Sequence, residues 1–245
     1  MSESKFKFPT EEVELPSKGL VYPPEHPLSS GKVEIKYMIA KEEDILSNQS
    51  FIQKGTVLDK LLNSLIVTPG ITVDDFVVGD KNAVFIVARI LGYGKEYKVT
   101  INGNSETIDL SELQNKPFSE EEIPNKGVNE FSYKLESTGD MLTYKLLTGK
   151  DEKAIDRELA GLKKINKESS PDMTTRLKHM ITSINGNEEK KHIREFVDTY
   201  LLARDSRAFR EHVRKTQPDV NMDYILDSGE EVAIPIGLTF FWPDA

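Results

Sequence analysis

The chain contains no cysteine, which excludes disulfide bridges, thiolate nucleophiles and cysteine-rich zinc sites. It also lacks a long apolar run. The best stretch, Ala83 to Leu91, covers barely nine residues and includes Arg89, far short of the roughly 20 that a membrane-spanning helix needs. The first residues, MSESKFKFPTEE, have no apolar segment of the kind a secretory signal requires, so a soluble protein without a leader is expected. Tryptophan occurs once, as Trp242, within IPIGLTFFWPDA (Ile234 to Ala245). A chain end is usually polar and frayed, so this aromatic cluster is expected either to tie the terminus into a core or to meet another protein.

What is present is mostly charge. The net charge is −9, and phosphate backbones and anionic membranes repel such a surface. Neither a membrane nor a direct nucleic-acid partner is expected. At 245 residues the chain is long enough for one large domain or two modest ones.

Residues 1–30 read as an extended proline-containing arm. Pro9, Pro16, Pro23, Pro24 and Pro27, with Gly19 and Gly31, interrupt any helix, while Leu20, Val21 and Tyr22 give the arm something to dock with. KVEIKYM (Lys32 to Met38) alternates as a half-buried strand does. Thr56-x-x-Asp59 resembles a capping box ahead of Val57, Leu58, Leu61, Leu62, Leu65 and Ile66 at helical spacing. A second, almost wholly apolar helix is predicted from an Asp80 N-cap to Gly92. Strands follow. Tyr97–Ile101 and Thr107–Leu110 flank the turn signal Asn102-Gly103-Asn104, and Phe131–Leu135 and Met141–Leu146 alternate around Ser137 to Asp140.

Beyond Gly149 the periodicity turns helical. Helices are predicted over Lys150–Lys164, through Met173 to Ile184, through Ile193 to Leu201, and from an Asp205 cap to the residues before Pro218. Strand-like runs at Asp223–Leu226 and Val232–Phe241 close the chain. The expected fold is α+β: an N-terminal mixed part with antiparallel strands over 31–147, and a C-terminal mostly helical part over 148–245 closed by a short β-hairpin.

No catalytic motif survives inspection. Leu146 to Lys150 resembles the end of a phosphate-binding loop, but it lacks the upstream glycine and has Asp151 where a hydroxyl would ligate magnesium. A helix N-terminus after a turn is the simpler reading. His26, His179, His192 and His212 form no metal-ligand pair. The carboxylates Glu42-Glu43-Asp44 and Glu120-Glu121-Glu122 read as solvated charge or helix-dipole partners. The chain is therefore read as a non-enzyme without cofactor or metal.

The most distinctive polar feature is a stripe formed by Arg204, Arg207, Arg210 and Arg214. It suits an acidic partner protein or, as the weakest reading because no aromatic stacking platform accompanies it, nucleic acid. The plain alternative is a solvent face, with Arg204 and Arg207 answering acids such as Asp205 and Glu211. The terminal run alternates as a strand, with Phe240 facing inward and Phe241 outward toward a partner. Leu20, Val21, Tyr22, the four arginines, Phe241 and Trp242 are the candidate partner-binding residues.

Four segments carry a resemblance. They are Glu14 to Leu46 (ELPSKGLVYPPEHPLSSGKVEIKYMIAKEEDIL), Gly55 to Ile66 (GTVLDKLLNSLI), Leu201 to Val213 (LLARDSRAFREHV) and Ile234 to Asp244 (IPIGLTFFWPD). In this order they resemble the T4-like bacteriophage baseplate hub subunit and hub assembly protein family. The resemblance implies a non-enzymatic tail baseplate protein that makes or stays in the central hub. Its partners would be other phage baseplate or tail hub proteins, in the host cytoplasm during assembly or in the virion tail baseplate, and a homo-oligomer is compatible. An assembly chaperone absent from the finished virion is the alternative reading. An enzyme or nucleic-acid-binding module with a site assembled from distant residues is a further one. Family members carry a cysteine pair ahead of the last strand, suggestive of a small metal ribbon. Ile225 to Gly237 has none, so no zinc is expected and a turn at Asp227-Ser228-Gly229 would serve instead.

Overall fold

A computed structural model describes residues 9–101, 104–118, 121, 123–165, 171–225, 229 and 231–241. Strand β1 (Thr10–Glu14) pairs antiparallel with β2 (Lys32–Lys36), Val13 opposite Val33. The connection between them, expected as an extended arm with apolar residues to dock, docks on the chain's own core. Leu15, Ser17, Leu20, Val21, Tyr22 and Leu28 within it are buried. The prolines do prevent helix beyond a single 3-10 turn at Pro27–Ser30, but glycine lets the loop close on itself. Gly19 has φ 77°, and a Cβ there would stand 2.3 Å from the Ser29 carbonyl oxygen.

Three helices, α1 (Ala40–Leu46), α2 (Gln49–Gln53) and α3 (Val57–Leu65), precede the central α4 (Val78–Tyr93). Helix α3 buries Val57, Leu61, Leu62 and Leu65, as its periodicity predicts. The Thr56/Asp59 capping box does not form. Thr56 makes no side-chain cap, and Asp59 instead meets Lys153 at 3.2 Å. Helix α4 is central and buried, but its ends lie outside the predicted limits. It begins two residues before Asp80 and passes Gly92, stopping where Gly94 takes φ 82°.

Strands β3 (Glu96–Ile101) and β4 (Asn104–Asp109) form the expected hairpin, whose predicted turn at Asn102-Gly103 lies outside the described residues. A three-stranded antiparallel sheet follows in the order β5 (Phe131–Lys134), β6 (Met141–Tyr144), β7 (Ile181–Ile184). Strand β7 corrects the prediction of one helix through Ile184. Helix α6 (Asp172–Met180) ends where Ile-Thr-Ser-Ile begins, a run better suited to a strand, and β6 offers it a free edge. This sheet joins residues on both sides of the boundary expected at 147/148. Backbone bonds from Val78 N to Leu147 O (3.0 Å) and Gly149 N to Phe76 O (2.9 Å) tie the same junction, and one hydrophobic cluster runs from Val13 to Phe241.

The remaining helices are α5 (Gly149–Ile165), α7 (Lys190–Glu195) and α8 (Ala203–Thr216). A π turn at Phe196–Tyr200, closed by Leu201 N to Phe196 O at 2.9 Å, extends α7. The terminal hairpin pairs β8 (Asp223–Ile225) with β9 (Glu231–Ala233); Asp227 and Ser228 of its predicted turn lie outside the described residues. The predicted strand to Phe241 stops at Ala233 and gives way to a helical turn, α9 (Leu238–Phe241). A strand would send Phe240 and Phe241 to opposite faces, whereas a helical turn lets both enter the core. Among the described residues no helix is long and apolar enough to cross a membrane.

Candidate protein-docking surface

The structure separates the sequence-predicted site residues into two groups. Leu20, Val21, Tyr22 and Phe241 are buried within the chain, so they serve its own core rather than an exposed contact. Trp242 lies outside the described residues. Arg204, Arg207, Arg210 and Arg214 are all exposed along α8.

The local sequence explains why α8 presents those arginines. At 100° per residue, Asp205, Ser206, Phe209 and Val213 share one face and are buried, which turns Arg207, Arg210 and Arg214 to the other. Phe209 is the anchor of the buried face, edge-on to Tyr144 at 5.1 Å between ring centres and tilted against Tyr133 at 5.4 Å. His212 extends the cluster, 4.7 Å from the Tyr133 ring, with Nε2 3.1 Å from the Tyr144 hydroxyl. Burial pushes the imidazole below its ordinary pKa.

The charge pairs differ from those the sequence suggested. Asp205 does not cap α8 or answer an arginine. One of its oxygens accepts from the Ser137 hydroxyl (2.7 Å) and backbone N–H (3.3 Å), locking the β5–β6 turn onto the helix. Arg204 donates to the same Ser137 hydroxyl. Glu211 is held down to about 2 by Arg214, bound through both carboxylate oxygens, and by Lys215 at 3.3 Å. Arg207 and Arg210 make no ion pair among the described residues. At the junction of the π turn and α8 the chain also exposes Tyr200 (60 %) and Leu202 (45 %). Exposed arginines on a helix and exposed apolar side chains at its N-terminal junction are residue types that docking surfaces favour. The sequence reading missed Tyr200 and Leu202, since periodicity assigned Tyr200 to a buried helix face and only the π turn rotates it out.

The ionisable clusters elsewhere are structural ties. Asp80, in the first turn of α4, is fully buried. It accepts from Ser17 N (2.9 Å), Ser17 Oγ (2.6 Å) and Tyr22 OH (2.6 Å), and the Tyr22 oxygen in turn accepts from Val77 N at 3.0 Å. Burial raises Asp80 to about 6 despite these donors. The cluster contains Ser and Asp but neither a histidine base nor solvent access, and it fastens the 15–30 loop to α4. Glu42, expected as solvated charge or a helix-dipole partner, is buried in the first turn of α1, the place of the second reading. It accepts from Lys36, Ser64 and the Ile39 N–H, joining β2, α1 and α3. Glu158 accepts both Arg194 guanidinium hydrogen bonds (2.6 and 2.7 Å) and lies 3.0 Å from His179 Nε2; chiefly through Arg194 it is lowered to about 2. At the phosphate-loop look-alike, Thr148 and Asp151 form a reciprocal cap, with Thr148 N donating to Asp151 (3.0 Å) and Asp151 N to Thr148 Oγ1 (3.3 Å). Among the described residues no group of three or more His, Asp or Glu side chains stands close enough to hold a metal ion.

The chain matches no protein-family model and shows no significant similarity to a curated protein or a solved structure.

Proposed function

We propose that this chain is a non-enzymatic protein of the tail baseplate of a contractile-tailed phage, working in or on the central hub through contacts with other baseplate or tail hub proteins. The observation that supports a docking role is the exposed side of α8, where Arg207 and Arg210 make no ion pair among the described residues and Tyr200 and Leu202 are exposed at the N-terminal junction of the helix. Such a patch suits an acidic, partly apolar protein surface, because aromatic and arginine side chains dominate the energetics of protein interfaces. The phage assignment rests on the four segments from Glu14 to Asp244. Two roles fit it, a resident hub subunit and an assembly chaperone that leaves before the virion is complete.

The test has two steps. Purification of the tagged chain from infected cells should recover baseplate or tail hub proteins; recovery of none would sink the proposal, as would a turnover reaction lost on changing one His or Glu. Mass spectrometry of finished particles then separates the roles. Presence in the particle assigns a subunit, and absence despite a requirement for assembly assigns a chaperone.

A further inference from the structure

The β1–β2 sheet has one closed edge and one open edge. On the β2 side, Glu34 O accepts from Val67 N (2.9 Å) and Glu34 N donates to the Thr68 hydroxyl (2.8 Å), so the chain itself occupies that edge. On the β1 side the ladder can be read from its ends. Leu15 N donates to Gly31 O and Tyr37 N to Pro9 O. With the register Val13 to Val33 and Glu11 to Ile35, the ladder bonds fall on the odd-numbered residues. The backbone N–H and C=O groups of Thr10, Glu12 and Glu14 therefore face away from β2, and they meet no partner among the described residues.

Alongside that open edge runs a groove of about 300 Å³. Its far wall is apolar, formed by Ile86, Val87 and Ile90 of α4 with Leu113 and Val220, and its near wall is β1 itself. The rim is acidic. Glu11, Glu12 and Glu14 lie along the strand, with Lys32 bonding Glu12 at 2.6 Å and standing opposite Glu14 in the ladder. Three glutamates in five residues make pairing of β1 with β1 of a second copy repulsive, a recognised way of guarding an edge against itself. The same charges attract a strand of the opposite sign.

We propose that the open edge of β1 is a docking site for an extended segment of a partner protein in which lysine or arginine alternates with apolar residues. Such a segment adds as a further antiparallel or parallel strand, its backbone bonding Thr10, Glu12 and Glu14. Its apolar side chains enter the groove over Val87 and Ile90, and its cations meet the glutamate rim. This surface is separate from the patch on α8 and does not depend on the phage reading.

The experiment uses the full chain, isotope-labelled, with two synthetic peptides: one alternating lysine with valine, the other with glutamate in place of lysine. The lysine peptide is expected to shift and protect the amides of Thr10, Glu12 and Glu14 and to shift the methyl groups of Val87 and Ile90, with affinity falling as salt rises. The glutamate peptide is expected to leave them unchanged. Glu12→Pro removes an outward N–H without touching the β1–β2 ladder and should weaken binding about tenfold or more. Glu11→Lys/Glu14→Lys should reverse the preference between the peptides. Equal binding of both peptides, or shifts confined to α8, would overturn the proposal. So would a concentration-dependent dimer of the intact chain that shifts the same amides and is lost in Lys5→Glu/Lys7→Glu. Lys5-Phe6-Lys7-Phe8 carries the required alternation in sequence, and that result would assign the edge to a second copy.

Discussion

Arg89 donates from Nε to the carbonyl oxygen of Phe240 at 2.8 Å, linking the middle of α4 to the last helical turn of the described chain. Its other nitrogens reach the carbonyls of Gly94 (2.8 Å) and Glu96 (3.3 Å), and it lies 5.3 Å from the Tyr93 ring centre. With 1 % of its surface exposed, this guanidinium bonds carbonyl oxygens and no carboxylate among the described residues. Burial lowers its pKa. Around it Phe240 packs on Tyr97 and Phe241 on Phe85, so the terminal turn, α4 and the β3–β4 hairpin form one unit.

Truncating that arginine removes the donor to the buried Phe240 carbonyl and to the carbonyls of Gly94 and Glu96, and leaves a cavity. Arg89→Ala is expected to lower unfolding free energy by on the order of 3 kcal/mol, and Phe240→Ala by about 3–5 kcal/mol. Phe240→Ala keeps the main-chain carbonyl that Arg89 bonds, so urea denaturation should show the Arg89→Ala loss again in the Phe240→Ala background. Disappearance of that loss would show that the arginine acts through the Phe240 ring rather than through the carbonyl.

Two glycines in helices predict opposite signs. Gly79 lies in the first turn of α4, where a Cβ would stand 1.9 Å from the Pro218 carbonyl oxygen. Gly79→Ala must push that loop away and is expected to destabilise by about 1–3 kcal/mol, although alanine is the better helix former. Gly161 in α5 meets nothing within 4 Å. Gly161→Ala should stabilise by about 0.5–1 kcal/mol. Thermal melts of the two variants, read against the unmodified chain, check both signs.

Asp80 makes stability depend on pH in a direction opposite to that of the paired surface carboxylates. Its folded pKa is about 6, against an ordinary value of 3.8. Below the ordinary value Asp80 is protonated in both states, and its contribution to stability is greatest. As pH rises toward 6 the unfolded state ionises first, and stability falls by on the order of 3 kcal/mol. Asp80→Asn should flatten the fall between pH 4 and pH 6. Glu158, held near 2, acts in the other sense, because its contribution is lost as pH drops below 4. An unchanged profile for Asp80→Asn in urea titrations at several pH values would refute the assignment.

The α8 patch predicts a separation of folding from binding. Arg207 and Arg210 are exposed and unpaired among the described residues, so Arg207→Glu/Arg210→Glu should leave the melting temperature within a degree or two. Recovery of partner proteins from infected-cell extract should nevertheless be lost. Phe209→Ala, which removes the buried anchor of the same helix, should lower the melting temperature as well.

Periodicity alone determined the helices whose buried faces are unmistakable. Leu61, Leu62 and Leu65 on α3, the apolar run of α4 and the hairpin at 96–109 are set by spacing that only one local structure satisfies. Composition likewise determined what chemistry cysteine could not supply. Tertiary structure decided the cases in which a residue had two good uses. Asp80, Asp205 and Asp59 all look like helix caps in sequence, yet each bonds a distant partner: Ser17 and Tyr22, Ser137, and Lys153. A carboxylate taken into the interior needs several donors at once, and those come from elsewhere in the chain. Ile181–Ile184 became a strand because β6 had an open edge for it. The terminal phenylalanines became a helical turn because the core admits both rings, Phe240 against Tyr97 and Phe241 against Phe85. The proline-rich start folded inward for the same reason: Leu20, Val21 and Tyr22 are apolar in any reading, and only the assembled core shows that the surface they pack on belongs to their own chain.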